Sequence, residues 1–209
     1  GVYSKSSSTT IAGQAYHHAL QYFFTNFKDG AQVDLVELEQ SAFGFINEIP
    51  ANRWKIQKTT PTIEDCMKKA YTTVSSLLRN FIGEISVYTE DIAEIVDVEL
   101  RCEEFLTVNG VDIPLPCHAM IDLVIKTKSG RIAIVDHKSK TSFTSEDEMA
   151  LSIGIQAITY VKAYEEKTGR KVDEVWFIEN KHSKNKDNAA QLNAFKLNID
   201  LDSRRLYEA

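Results

Sequence analysis

The sequence lacks the cysteine patterns of a disulfide framework or of a zinc site. Its three cysteines, Cys66, Cys102 and Cys117, are widely separated, and no two of them form a C-x-x-C pair. We therefore expect buried or inert thiols in a protein of a reducing compartment.

Long apolar runs are also missing. No run approaches the roughly 20 residues that a membrane-spanning helix needs, and the first ten residues, GVYSKSSSTT, lack the apolar stretch of a secretion signal. We predict a cytoplasmic protein with no membrane partner. The 209 residues, 43% hydrophobic and 26% charged, are ordinary for one globular domain with a substantial core.

Positive charge is scarce overall, since the net charge is −6, whereas domains that bind nucleic acid are usually basic. The charge is uneven, however. Residues 126–140 carry four lysines and one arginine against a single acid, and residues 181–186, KHSKNK, add three lysines. The second cluster is also typical of a solvated polar loop, but local basic patches can bind anions where the global balance does not favour it.

Apolar periodicity and turn residues predict one α/β domain with a central mixed sheet flanked by helices. Residues 1–10 are expected to be a flexible segment, followed by a single domain over residues 11–209. Helices are predicted over residues 11–27, 32–47, 62–83 and 146–167. Strands are predicted over residues 94–107, with a turn at 108–110, and over residues 117–126, 131–138, 172–179 and 191–198.

The hairpin over residues 117–138 is the most informative segment. Gly130 suits the left-handed position of a three-residue loop over residues 128–130. That loop pairs Thr127 with Arg131 and places Asp122 opposite Asp136, with β-carbons roughly 4.5–5.5 Å apart. Two carboxylates at that distance repel each other, and a hard divalent cation with oxygen ligands would offset the repulsion.

Lys138 follows Asp136 by two residues, so its side chain leaves the same face of the strand. A two-residue loop would shift the register by one and separate the acids. The alternative interpretation is that Asp122 and Asp136 are half-exposed strand residues neutralised by Lys138. The apolar neighbours of both acids favour burial, where a carboxylate is costly unless it has a function.

Four motifs, spread over about residues 13–179 and in the same order, resemble those of the PD-(D/E)xK nuclease superfamily, specifically its RecB-like exonuclease branch with the Cas4 and AddB domains. They are a G-x-x-x-H over Gly13–His17, the hairpin aspartate Asp122, a D-Y-K-like Asp136-His137-Lys138, and a Q-x-x-x-Y over Gln156–Tyr160.

The resemblance implies a restriction-endonuclease-like core and a DNA exonuclease dependent on Mg²⁺ or Mn²⁺. It implies metal ligation by the side chains of His17, Asp122 and Asp136 and by the backbone carbonyl of His137. Lys138 would be the catalytic lysine. The pair Gln156 and Tyr160 would support that lysine and contact the DNA strand. An upstream acid is also common in this branch; Glu99 and Glu103 are both candidates, and Glu99 fits its strand context slightly better.

The sequence departs from the family pattern in several places. Ala119 and Met120 occupy the region where a glycine is usual, and His137 replaces the tyrosine of D-Y-K. Three scattered cysteines do not supply the four ligands of the iron–sulfur cluster found in many relatives, so we expect no cluster. The sequence has no Walker A motif, so any helicase or recombination activity would come from a partner protein.

Other interpretations stay open at this stage. An endonuclease of the same superfamily is the first alternative, and a non-catalytic DNA-binding module with this fold is the second. Within the first motif, His18 is as available a ligand as His17.

Overall fold

A computed structural model describes residues 4–108, 110–145, 148, 153–185, 189–201 and 204. The chain separates into two compact units. The described residues of Gly1–Ile85, Lys138–Thr141 and Asn180–Leu192 form the first unit, and those of Ser86–His137, Ser142–Glu179 and Asn193–Ala209 form the second.

Three long helices make up most of the first unit: α1 (Ser8–Lys28), α2 (Leu35–Asn47) and α3 (Ile63–Glu84). A short 3-10 turn, Ala51–Arg53, lies between α2 and α3. Each long helix begins at a side-chain cap, which satisfies amide groups that have no partner in the first turn. Ser7 caps α1, while Asp34 and Thr62 form capping boxes with the acids three residues later.

The Ser7 cap explains why α1 begins at Ser8, three residues before the predicted start at residue 11. Ser6, just before the cap, forms a parallel bridge with Trp54, which follows the 3-10 turn. Its amide donates to the carbonyl of Arg53 at 2.8 Å, and its carbonyl accepts from the amide of Lys55 at 2.9 Å. The expected flexible segment falls partly on residues 1–3, which lie outside the described residues.

Aromatic side chains fill the space between α1 and α3. The rings of Phe23 and Phe81 meet edge to face with centroids 5.1 Å apart, and Phe24 and Tyr16 also pack against Phe81. All four side chains are buried. Phe27, at the end of the apolar stripe predicted for α1, is 45% exposed and stacks on Phe23.

The second unit contains most of a five-stranded sheet, in the order β1-β4-β5-β6-β7. Its strands are β1 (Ile92–Glu104), β4 (Cys117–Thr127), β5 (Ile132–Lys140), β6 (Glu174–Lys181) and β7 (Leu192–Asn198). A separate two-stranded pair, β2 (Thr107–Val108) and β3 (Val111–Asp112), flanks Asn109, the central residue of the predicted turn, which lies outside the described residues.

The sheet is mixed, as the sequence predicts. The pairs β1–β4 and β4–β5 are antiparallel. Two backbone hydrogen bonds show that β5 and β6 are parallel, because both partners advance along the chain together. The amide of Asp173 donates to the carbonyl of Ile132 at 2.9 Å, and the amide of His182 donates to the carbonyl of Lys140 at 3.0 Å. A parallel neighbour needs a crossover connection, and the helix between these strands provides it.

Two helices belong to the second unit, α4 (Ser86–Thr89) and α5 (Gly154–Thr168). The buried face of α5, which includes Ala157, Val161 and Tyr164, packs with Ile121 of β4, Ile134 of β5 and Phe177 of β6 in one apolar core. The helix predicted from residue 146 begins in a stretch, 146–147 and 149–152, that lies outside the described residues. In the described part of the chain, every helix is too short or too polar to cross a bilayer.

Candidate functional site

The hairpin between β4 and β5 has the predicted register. Leu123 pairs with Val135, and the ladder continues in step to Lys126 and Ile132. The loop is the expected one, since the amide of Thr127 donates to the carbonyl of Arg131 at 2.8 Å and Gly130 has a φ of 84°.

One residue beyond the Leu123–Val135 pair, the same register places Asp122 opposite Asp136. Directly opposed residues of paired strands project from the same face of the sheet. Asp122 and Asp136 therefore leave neighbouring strands on the same face of the sheet.

A third carboxylate joins this pair from β1. Val98 pairs with Leu123 and Leu100 with Ile121, so Glu99, between them, stands opposite Asp122. A carboxylate oxygen of Glu99 lies within 4.8 Å of one of Asp122. We define the acid row as Glu99, Asp122 and Asp136, which occupy matching positions on three neighbouring strands.

Glu99 has an unusual backbone for a strand residue. Its φ of 50° falls in the left-handed region, and among the described residues it is the only one other than glycine with a positive φ. Such a conformation costs about 1 to 3 kcal/mol and is found preferentially at functional sites, where the surrounding structure holds it in place. The strained backbone makes Glu99 a candidate functional position.

Glu103, the other candidate, lies elsewhere on β1. It pairs with His118 across the strands, and its carboxylate is 3.4 Å from the Arg101 guanidinium and 3.8 Å from the His118 ring. These side chains are at least half exposed. The structure therefore places Glu99, and not Glu103, beside Asp122.

Asp122 is connected to the neighbouring strand as well as to its own. Its Oδ2 accepts a 2.7 Å hydrogen bond from the backbone amide of His137, and the side chain is only 13% exposed. The ring of His137 is buried behind it, with Nε2 2.9 Å from the hydroxyl of Tyr88 in α4. Sequence reasoning did not find Tyr88, because nothing in its local pattern connects it with a residue 49 positions later.

Asp136 is 3% exposed and is oriented by α5. The Tyr160 hydroxyl donates to its Oδ1 at 3.0 Å, and Gln156 Nε2 donates to the same hydroxyl at 2.7 Å. Burial, followed by the negative charge of Asp136, raises the pKa of Tyr160 well above its ordinary value. The hydroxyl therefore keeps its proton and remains a donor. The predicted Q-x-x-x-Y pair thus reaches the acid row through Asp136.

The donor set of the acid row suits a hard cation. The carboxylates of Glu99 and Asp122, with oxygens within 4.8 Å of each other, repel one another, and Mg²⁺ and Mn²⁺ prefer oxygen ligands of this kind. The residues of the second unit therefore fit the metal that the sequence predicts.

The first unit holds the other two predicted residues. Lys138 lies on β5, two residues after Asp136, and is half-buried. His17 is half-buried on α1, one turn after Gly13 and thus on the same face of the helix. That face approaches the end of β5 closely, because a β-carbon at Gly13 would stand 2.7 Å from the Ser139 hydroxyl.

His18 points elsewhere. It is exposed, and its ring lies over Phe45 of α2 with centroids 5.3 Å apart. Of the two imidazoles, His17 is therefore the one on the face of α1 that packs against the end of β5.

Comparison with known proteins supports the same family. A model of the PD-(D/E)XK nuclease superfamily matches residues 4–206. No curated protein matches the chain. Among solved structures, the crystal structure of SSO0001 aligns with 12% identity and a TM-score of 0.39, covering 67% of this chain and 59% of that one. A likeness of this size carries no conclusion about function.

Proposed function

Because this chain belongs to the PD-(D/E)XK nuclease superfamily, we propose that it is a Mg²⁺- or Mn²⁺-dependent deoxyribonuclease of the RecB-like exonuclease type. The observation that carries the proposal is the acid row. It sets carboxylates of three strands opposite one another, with a lysine two residues further along the third strand.

In this proposal the carboxylates of Glu99, Asp122 and Asp136 hold the cation, together with the His137 carbonyl and, from the G-x-x-x-H motif, the His17 ring. A divalent cation bound there supplies a Lewis acid for the scissile phosphate and lowers the pKa of a bound water. The assignment of Glu99 rests on its position opposite Asp122, and that of His17 on the motif and on the face of α1 it occupies.

Lys138 acts on the attacking water and the phosphate and is not a ligand of the cation. An ammonium next to the acid row can orient the attacking water and stabilise the negative charge that builds on the phosphate as the bond to the leaving oxygen breaks. Lys138 is half-buried and leaves β5 on the same face as Asp136.

Tyr160 and Gln156 are positioning residues for Asp136. The Tyr160 proton fixes one carboxylate oxygen, and Gln156 fixes the tyrosine in turn. A carboxylate held in one rotamer binds a cation without losing further conformational freedom. Tyr88 has the corresponding role behind His137, whose amide orients Asp122.

DNA is the proposed substrate, and a helicase or recombination protein that delivers it is a further proposal. End-labelled linear DNA and covalently closed circular DNA, each incubated with Mg²⁺, with Mn²⁺ and with EDTA, test the reaction. We expect metal-dependent release of mononucleotides or short fragments from the linear DNA and an intact circle. Cutting of the circle would instead identify an endonuclease. Binding of DNA without cleavage of either substrate would identify a non-catalytic module.

A further inference from the structure

A polar cavity of about 230 Å³ lies in the first unit, beside the end of β5. Its lining comes from the first turn of α1, the middle of α3, the end of β5 with the residue after it, and the residue that follows β6. The lining residues are Thr9, Thr10, Thr73, Leu77, Ser139, Lys140, Thr141 and His182. We call it the hydroxyl pocket.

The composition of the hydroxyl pocket is unusual for this chain. Five of its eight lining residues carry a hydroxyl, one is a lysine, and none of the described residues that line it is an acid. Overall the protein has 30 acids and 24 lysines and arginines. A cavity whose described lining residues include five with a hydroxyl and one lysine, and no acid, has the composition of an oxyanion site.

His182 adds a neutral donor or acceptor. Burial, and then the positive charge of Lys69, lowers the pKa of its ring, so the imidazole is neutral near pH 7. One ring nitrogen lies 3.3 Å from the Thr141 hydroxyl. The backbone amide of His182 donates to the carbonyl of Lys140 at 3.0 Å, which fixes the two strand ends that form one wall.

The pocket also lies next to the proposed catalytic lysine along the chain. Ser139 and Lys140 line it and directly follow Lys138 on β5. At a rise of about 3.3 Å per residue, Lys140 and Lys138 are separated by roughly 7 Å along the strand. Residues two apart on a strand leave the same face, so the side chains of Lys138 and Lys140 project from one face of β5.

We propose that the hydroxyl pocket binds a phosphate of the DNA strand next to the scissile one, with Lys140 supplying the charge and the threonine hydroxyls the directed hydrogen bonds. The proposal rests on the proposed nuclease function. The phosphate is either an internucleotide diester or the terminal monoester of the strand, since both present non-bridging oxygen atoms to these donors.

The test measures binding in Ca²⁺, a condition chosen to separate binding from cleavage, with oligonucleotides carrying a 5′-phosphate, a 3′-phosphate or hydroxyl groups at both ends. The variants are Lys140→Gln and the isosteric Thr9→Val. Lys58→Gln is the matched control, because it removes the same charge from an exposed residue of the first unit outside the pocket.

We expect Lys140→Gln to raise Kd about tenfold, the loss typical of a hydrogen bond to a charged group. The slope of log K against log salt should fall by about 0.7, the value for one phosphate on a single strand. Inorganic phosphate should displace DNA from the wild type at lower concentration than from Lys140→Gln. Thr9→Val should show a smaller change in the same direction, and Lys58→Gln none.

The pattern across the three oligonucleotides identifies the phosphate. Equal weakening of all three indicates an internucleotide phosphate, and weakening confined to one phosphorylated end indicates a terminal one. Unchanged affinity of Lys140→Gln for all three overturns the proposal, even if the wild type is an active nuclease. An inactive wild type that still loses affinity on Lys140→Gln would refute the nuclease assignment and leave the phosphate pocket standing.

Discussion

The carboxylate of Asp122 on β4 accepts a 2.7 Å hydrogen bond from the backbone amide of His137 on β5. The first acid of the proposed metal site is thereby attached to the strand that carries the second, Asp136. This bond orients Asp122 without removing its repulsion with Glu99, whose carboxylate oxygen lies within 4.8 Å.

Replacing Asp122 by asparagine should therefore change stability and function in opposite directions. The amide oxygen can still accept from His137, while one charge leaves the acid row. We expect Asp122→Asn to raise stability without metal, by up to about 3 kcal/mol, since two like charges about 5 Å apart repel by that much at an effective dielectric constant near 20, and to abolish nuclease activity. Thermal unfolding, in EDTA and in Mn²⁺, measures the stability, and cleavage of linear DNA in Mn²⁺ measures the activity.

The two unfolding conditions serve as controls for each other. The wild type should be stabilised by Mn²⁺ through preferential binding to the folded state, and Asp122→Asn should not. A variant that melts below the wild type in EDTA would show that the carboxylate is a structural residue and not a member of a repulsive cluster.

Loss of Lys138 should separate metal binding from turnover. We expect Lys138→Ala to lower kcat by about 100-fold or more, as when one preorganised stabilising group is removed from a transition state. Stabilisation by Mn²⁺ should be largely retained, because the carboxylates are intact. Lys126→Ala, at an exposed position on β4, makes the same change of charge and should keep its activity. Cleavage at the wild-type rate by Lys138→Ala contradicts the assigned role.

The features that the sequence predicts correctly are those set by local chemistry. Gly130 determines the loop, the loop determines the register, and the register places Asp122 opposite Asp136. The capping box at Thr62 likewise marks the start of α3 in the sequence. In each case the responsible residues are within a few positions of what they determine.

The features that the sequence does not predict depend on contacts between distant segments. The choice of Glu99 over Glu103 follows from a left-handed backbone and from the β1–β4 register, neither of which the residue pattern of β1 reveals. Tyr88 reaches His137 from a short helix outside the motifs. The hydroxyl pocket collects residues from both ends of the chain, and no single segment indicates it.

Tyr160 should affect both catalysis and the response of stability to alkaline pH. Tyr160→Phe removes the donor to Asp136 Oδ1, and we expect kcat to fall about tenfold, the typical loss for one hydrogen bond to a charged group. Gln156→Leu should cause a smaller loss, because it acts through Tyr160. Tyr22→Phe, at an exposed tyrosine of α1, is the matched control.

The sign of the pH effect follows from the raised pKa of Tyr160 in the folded state. Above its ordinary value near 10, the unfolded chain releases the phenolic proton while the folded protein keeps it. Stability from this residue is therefore complete below about pH 10 and declines as pH rises further. Denaturant unfolding from pH 8 to 11 should show a steeper loss for the wild type than for Tyr160→Phe; parallel curves would exclude the raised pKa.

Variants of Glu99 and Glu103 test which of these two acids of β1 is needed for metal-dependent cleavage. Glu99→Gln should abolish metal-dependent cleavage, whereas Glu103→Gln, four residues along the same strand and half exposed, should keep it. Glu99→Gly adds a stability readout, because glycine adopts a positive φ without strain; we expect it to be inactive but about 1 kcal/mol more stable in EDTA. Loss of cleavage by Glu103→Gln with an active Glu99→Gln would reverse the assignment.

Gly13 and Ser139 should be coupled, because a β-carbon at residue 13 would stand 2.7 Å from the serine hydroxyl and 3.8 Å from its Cβ. Alanine favours a helix over glycine by about 1 kcal/mol, but beside Ser139 that gain is offset by the clash or by rotation of the hydroxyl. We therefore expect Gly13→Ala to leave the wild type no more stable, and to stabilise the Ser139→Ala background by about 1 kcal/mol. Denaturant unfolding of the four proteins gives the coupling energy as the difference between the two backgrounds. A value near zero would mean that α1 does not approach β5 as closely as the structure places it.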